Sequence, residues 1–258
     1  MKIAIIGHGA IARFVRGALA GCDVTEVAEI VRPGKENVTR DPPLVSSIAD
    51  VSTDCALIVD CGGHGALRAH GAQALRRGMN VLTVSLGALA DRDLMALLRN
   101  AADSGGARLQ IASGAIGGLD ALRAARAGRL DTVTYIGRKP PAGWIGSPAE
   151  KVLDLHNIRE PSVHFEGTAR EAALTYPKNA NVAAAVALAG RGFDATTVQL
   201  IADPTVAQNL HEVRAAGAFG SLTFTISGHG LPANPKSSAL AAMSIVNAIL
   251  ERQSPIGF

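Results

Sequence analysis

A two-part α/β architecture, a doubly wound parallel sheet joined to an α+β domain, is predicted by three features of the 258-residue sequence. Through the first half, short apolar runs alternate with amphipathic stretches of about ten residues, the pattern of βαβ units. Glycines follow the C-terminal end of most of those apolar runs. After about residue 130 the pattern changes to period-2 alternation, as in strands that bury one face.

The elements follow in order. "KIAIIG" is an apolar strand, and in the next stretch Ala10, Phe14, Val15, Ala18 and Leu19 recur at helical spacing. "EVAEIV", "CALIVDCGG", "NVLTVSLGAL" and "ARLQIASGAIGG" read as further strands, near-continuously apolar as burial on both faces requires. "RAHGAQALRRG", "DRDLMALLRNAADSGG" and "LDALRAARAG" are helical, with Asp91 as an N-cap of the second. In the second half "DTVTYIG", "SVHFEGT", "TVQLIAD", "LHEVRAAGA" and "SLTFTISG" are strands, the last two forming an antiparallel hairpin. "AREAALTYP" and "NVAAAVALAG" are helices between them. In the closing stretch Pro235 and Ser237 or Ser238 mark a helix start, and Leu240, Met243, Val246 and Leu250 form its apolar stripe. The expected domains are 1–112 with 235–258, and 113–234.

Composition narrows the function classes. At 48% hydrophobic and 18% charged the chain is globular. A net charge of +3 with no basic block excludes a nucleic-acid footprint and suits an anionic ligand. Cys22, Cys55 and Cys61 form neither a metal-ligand pattern nor a disulfide framework, so no metal and a reducing, cytoplasmic setting are expected. The N-terminal "LAGC" imitates a lipoprotein cleavage site, but the apolar run before it covers only Ile3 to Ile6. No stretch is long and apolar enough to suggest a membrane helix.

"GHGAIA", Gly7 to Ala12, is the sharpest motif: G-x-G-x-x-A directly after the first strand and opening the first helix. Gly7 permits the tight turn, Gly9 lets a pyrophosphate approach the backbone, and Ala12 allows close helix–strand packing. This marks a Rossmann dinucleotide-binding domain, with Ala10 and Ile11 at the helix N-terminus and Gly62 and Gly63 of "CGG" lining the same cleft. An acidic residue ending the second strand would bind a ribose 2′-hydroxyl. In "AEIVRPG" Glu29 lies early and the turn offers Arg32 instead, so NADP is expected alongside NAD.

Together "GHGAIA", "SGAIGGLDAL", "YPKNANVAAAVALAG", "NLHEVRAAGAFG" and "NPKSSALAAMSIVNAI" resemble the L-aspartate dehydrogenase family along nearly the whole chain. The resemblance implies a Rossmann domain joined to an α+β catalytic domain. It also implies NAD(P)-dependent deamination of L-aspartate to iminosuccinate, and thence oxaloacetate and ammonium, or the reverse amination. It places the catalytic histidine on His211 and cofactor contacts on Ala115 and Asn181. Histidine suits proton handling at neutral pH. Of the other histidines, His64 in "CGGHG" points at the cleft. Carboxylate recognition calls for cationic or amide donors, and Lys178 and Asn179 are the candidates, with Ser113 and Gly114 adding small polar contacts. A homodimer with small-molecule substrates is expected. The alternatives are another NAD(P) oxidoreductase of homoserine dehydrogenase or dihydrodipicolinate reductase type, and a non-catalytic NAD(P)H sensor.

Overall fold

A computed structural model describes residues 1–257. The chain divides into two compact units, Met1–Ala112 with Ala241–Phe258, and Ser113–Leu240.

The first unit is built on β1 (Lys2–Ile6), α1 (Ala10–Leu19), β2 (Thr25–Ile30), β3 (Leu44–Val45), β4 (Leu57–Asp60), α2 (His64–Arg76), β5 (Asn80–Thr83), α3 (Arg92–Gly105) and β6 (Leu109–Ile111). Its six strands are all parallel, in the order β3-β2-β1-β4-β5-β6. This is the doubly wound Rossmann order, with its switch point between β1 and β4. Every residue of β4 is buried, and only Lys2 of β1 is exposed, as central strands covered on both faces require. Asp91 caps α3 by accepting from the backbone N–H groups of Asp93 and Leu94, and Gly106 ends it in the left-handed region.

The second unit runs through α4 (Leu119–Ala125), β7 (Leu130–Lys139), β8 (Ser162–Thr168), α5 (Ala169–Thr175), α6 (Asn181–Ala189), β9 (Thr197–Ala202), β10 (Asn209–Gly217), β11 (Gly220–Gly228), β12 (Gly230–Leu231) and β13 (Asn234–Ser238). A mixed five-stranded sheet has the order β11-β10-β7-β9-β8, with only the β7–β9 pair parallel. The β10–β11 hairpin turns through Ala218 and Phe219. Helix α6 packs on β7 and α5 on β8 and β9.

The last helix, α7 (Ala239–Leu250), returns to the first unit, where Ile245, Ala248 and Ile249 join Ile3, Ile5, Val15, Leu57 and Val59 in one core. Ser238, one of the residues read as marking its start, directly precedes it, whereas Pro235 does not. Pro235 to Ser238 lie in β13 and pair with β12, so the return begins at Ala241 rather than at 235. Proline and serine are helix-start signals, but pairing with β12 claims this segment. The two-residue β3 was not read from the sequence either, because so short an edge strand has no periodicity to detect.

Candidate active site

The first unit carries the cradle for a dinucleotide. Gly7 follows β1 with φ of +101°, and a Cβ there would lie 3.1 Å from the Cα of Gly62. The loops after β1 and β4 thus touch backbone to backbone at the switch point, which only glycine permits. Gly9 is the N-cap of α1 and offers no side-chain cap, and a Cβ on it would meet nothing within 4 Å. The N–H groups that open α1, at Ala10 and Ile11, therefore lie behind open space, and this fits a pyrophosphate. Buried Asp60, ending β4, accepts from Thr83 Oγ1 at 2.7 Å, Ser85 Oγ at 2.6 Å and Gly62 N at 3.0 Å. It thereby fixes the glycine loop relative to the end of β5. Gly63 precedes α2 as its N-cap, and His64 is the first residue of that helix.

Glu29 lies within β2, fully buried. Its Oε1 is 2.6 Å from His8 Nδ1, and its Oε2 accepts from Arg40 at 2.8 Å and lies 3.4 Å from Arg16. Burial pulls its pKa upward, but the Arg40 and His8 hydrogen bonds and the Arg16 charge outweigh that and hold it below the usual carboxylate range. Arg32 is exposed in the turn after β2.

The second unit gathers the titratable groups. His211 stands on β10 opposite Gly137 of β7, and Tyr135 lies on the same face two residues away. The Tyr135 hydroxyl is 2.7 Å from His211 Nδ1. Gly137 makes this possible, since a Cβ there would sit 2.7 Å from the Tyr135 hydroxyl oxygen. Tyr135 is sealed from solvent, so burial pushes its phenol well above the usual value and keeps it neutral. His211 is 5% exposed. Burial, then the charge of Lys139, push its imidazole down to about 4, so it is neutral at pH 7. Among the described residues its Nε2 has no protein partner, and it is not among the fully buried unpaired atoms.

Lys139 ends β7 on the face shared with Tyr135 and Gly137. Its ammonium donates to Asn179 Oδ1 at 2.7 Å and lies 4.8 Å from the centre of the buried Trp144 ring. Burial lowers its pKa to about 8. His164 packs on the same Trp144 ring and is the extra residue where the β8–β9 register shifts between Val163 and Phe165. Its ring meets Trp144 edge-on at 4.3 Å, and its Nδ1 is 3.1 Å from the Tyr176 hydroxyl. Its Nε2 is buried with no partner. Burial and the Lys139 charge push it down to about 4.

Of the residues singled out from the sequence, Gly7, Gly9, Ala10, Ile11, Gly62 and Gly63 come together at the switch point. Asn179 belongs to the Lys139 group, and Asn181 opens α6 nearby in sequence. Lys178 is exposed in the turn before α6. Ala115 is half-buried in the loop between β6 and α4, beside exposed Ser113 and half-buried Gly114. Sequence reasoning missed Tyr135, Lys139 and His164. Among the described residues no cluster of histidine, cysteine or acidic side chains is placed to hold a metal, and no helix is long and apolar enough to cross a membrane.

The sequence is 54% identical to the L-aspartate dehydrogenase of Ruegeria pomeroyi, an alignment covering 99% of this chain and 94% of the relative. The chain belongs to the L-aspartate dehydrogenase family. Residues 120–252 match the family model for the C-terminal domain of aspartate dehydrogenase, and residues 5–112 that for the NAD-binding domain of homoserine dehydrogenase. The L-aspartate dehydrogenase of Pseudomonas aeruginosa is 44% identical over 96% of both chains. The solved aspartate dehydrogenase of Thermotoga maritima superposes with a TM-score of 0.80 at 27% identity, covering 100% of this chain and 99% of that one. A hyperthermophilic archaeal homoserine dehydrogenase in complex with NADPH has a TM-score of 0.59 at 12% identity over 98% of each chain, a likeness of fold alone. As a member of the aspartate dehydrogenase family the chain is an oxidoreductase acting on the CH–NH₂ group of L-aspartate with a pyridine nucleotide.

Proposed function

We propose that His211 is the proton-handling group of L-aspartate oxidation, and that the chain accepts NADP as well as NAD. The observation that carries the first reading is the Tyr135–His211 hydrogen bond, which holds a neutral imidazole by one nitrogen and leaves the other without a protein partner. With Nδ1–H donating to the phenol oxygen, Nε2 presents its lone pair.

When bound, the nucleotide would supply a hydride acceptor for the Cα of aspartate in its free-amine form, the ammonium proton having passed to solvent, and protonated iminosuccinate would remain. His211 Nε2 takes a proton from water as its oxygen adds to the imine carbon. The depressed pKa keeps the ring unprotonated beforehand and makes its protonated form a strong acid. That acid returns the proton to the nitrogen; as the C–N bond breaks, the hydroxyl gives up its proton to become the carbonyl of oxaloacetate, and the departing ammonia takes that proton and leaves as ammonium. The backbone at Gly7, Gly9, Ala10, Ile11, Gly62 and Gly63, with Ala115 and Asn181, is the cofactor-holding set we assign.

Acceptance of NADP follows from charge. Glu29 is buried and already satisfied by Arg40, Arg16 and His8, so it offers no carboxylate to a ribose hydroxyl. Arg32 is exposed in the turn after the second strand and suits a 2′-phosphate.

His211→Ala and His211→Asn test the central reading through aspartate-dependent NAD(P)H formation. Both should lower kcat by about 10²- to 10⁴-fold, the range for losing a general acid–base group, with NAD(P)H affinity unchanged. Near-wild-type turnover in either variant refutes the role.

A further inference from the structure

We propose that Lys139 and His164 form the subsite that takes a carboxylate of the substrate, a reading that rests on aspartate being processed at His211. The Lys139 ammonium carries a charge that nothing around it balances. Among the described residues, the partners of the Lys139 ammonium are an amide oxygen, Asn179 Oδ1, and an aromatic face, Trp144. Neither neutralises it, and its neighbours His164 and His211 are both held neutral. A partly buried cation without a counter-ion is costly, and a carboxylate arriving from solution removes that cost. The ligand class is therefore anionic, and the substrate brings two carboxylates.

His164 supplies the second, independent observation. It is 7% exposed, it sits in a register shift that breaks the β8–β9 ladder, and its Nε2 is buried without a partner. Bulges re-aim side chains next to functional sites, and a buried unpaired ring nitrogen in a native fold calls for a ligand. With the Tyr176 hydroxyl donating to Nδ1, the proton sits on Nε2, giving a donor for a carboxylate oxygen. Lysine as point charge and imidazole as neutral donor then share one anion.

The sheet register ties this subsite to the proton-handling group. His211 lies opposite Gly137, and Lys139 is the next residue on that face of β7. Diagonal neighbours of this kind stand about 7–8 Å apart, a span suited to a four-carbon dicarboxylate held by one end.

The test uses Trp144, the sole tryptophan of the chain, as reporter. Wild-type protein saturated with NAD(P)⁺ is titrated with succinate, which carries two carboxylates and no amine, and followed by tryptophan fluorescence and calorimetry. Wild type should bind saturably. Lys139→Met should weaken succinate binding and raise KM for aspartate by roughly 10- to 100-fold, with NAD(P)H affinity unchanged. His164→Leu should raise KM about tenfold, and His164→Gln, which keeps a neutral donor, should restore most of the loss. His211→Asn should leave succinate affinity intact, so failure of the His211 role and failure of this subsite are read separately.

A second measurement needs no variant. Lys139 is the one group of this cluster whose ionisation changes between pH 7 and 10. Its own pKa is lowered to about 8, His164 and His211 are already neutral, Tyr135 and Tyr176 are pushed upward by burial, and Asp203, hydrogen-bonded by Thr205 and Arg138, stays ionised. Wild-type succinate affinity should therefore fall towards tenfold per pH unit above pH 8. Succinate affinity within twofold of wild type in Lys139→Met, no succinate binding by wild type, or a flat wild-type affinity from pH 7 to 9.5 overturns the proposal.

Discussion

The Tyr135 hydroxyl is 2.7 Å from His211 Nδ1 because residue 137, between Tyr135 and Lys139 on the same face of β7, has no side chain. Tyr135 acts through His211 as a positioning residue, and the gap left by Gly137 admits its hydroxyl. Tyr135→Phe should lower kcat roughly tenfold or more and shift the acid limb of the kcat/KM–pH profile, leaving the KM for cofactor unchanged. Gly137→Ala should do the same by displacing the phenol, and the double variant should be no worse than either single one. Additive losses would show that Gly137 matters for another reason.

Gly9→Val places a branched side chain in the open space before α1. The chain itself offers no clash within 4 Å of a Cβ there, so the fold should survive with a melting temperature near that of wild type. NAD(P)H affinity should fall at least tenfold, because the side chain stands where pyrophosphate approaches the backbone. Unchanged affinity in a fluorescence titration would move the cofactor elsewhere.

Arg32→Asp should turn cofactor preference towards NAD. A carboxylate repels the 2′-phosphate and can accept from a ribose hydroxyl, a role that buried Glu29 does not fill. The ratio of kcat/KM for NADP to that for NAD should drop by roughly tenfold or more. A ratio that does not move makes Arg32 an ordinary turn residue.

Stability should fall on mild acidification. The folded pKa values of His164 and His211, about 4, lie below the unfolded value of about 6.5. Between those limits the unfolded chain binds protons that the folded chain refuses, so stability is full above pH 6.5 and is lost as pH falls towards 4. Between pH 6.5 and 5, above the main carboxylate range, the loss should reach about 2 kcal/mol per ring. Urea unfolding at several pH values checks this, and His164→Gln with His211→Asn should flatten the slope.

How much of this was legible in the sequence depended on the range of the interaction. The βαβ units, the hairpin through Ala218 and Phe219, and the Asp91 cap follow from neighbours a few residues apart, and each is present in the structure. The Tyr135–His211 pair spans 76 residues and exists only through the β7–β10 register, which no local pattern encodes. Lys139 in "GRKPP" looks like the polar end of a strand before a loop. Its surroundings come from Asn179 and Trp144, brought together by tertiary structure. His164 sits in a plain alternating run, and only the slip against β9 distinguishes it. Lys178 and Asn179 are adjacent in sequence, yet only Asn179 reaches the Lys139 ammonium.

Helix α7 has a consequence for the order in which this chain acquires structure. The core around β1 and α1 includes Ile245, Ala248 and Ile249, which a ribosome adds only after residue 240, whereas Ser113–Leu240 is one uninterrupted segment. During synthesis the nucleotide-binding unit therefore waits, its apolar strands unprotected, while the later-made unit can close first. This reverses the usual N-to-C sequence of domain formation. Nascent chains lacking residues 241–258 should be protease-resistant across 113–240 and cleavable within 1–112, and chains with 241–258 emerged should be protected in both.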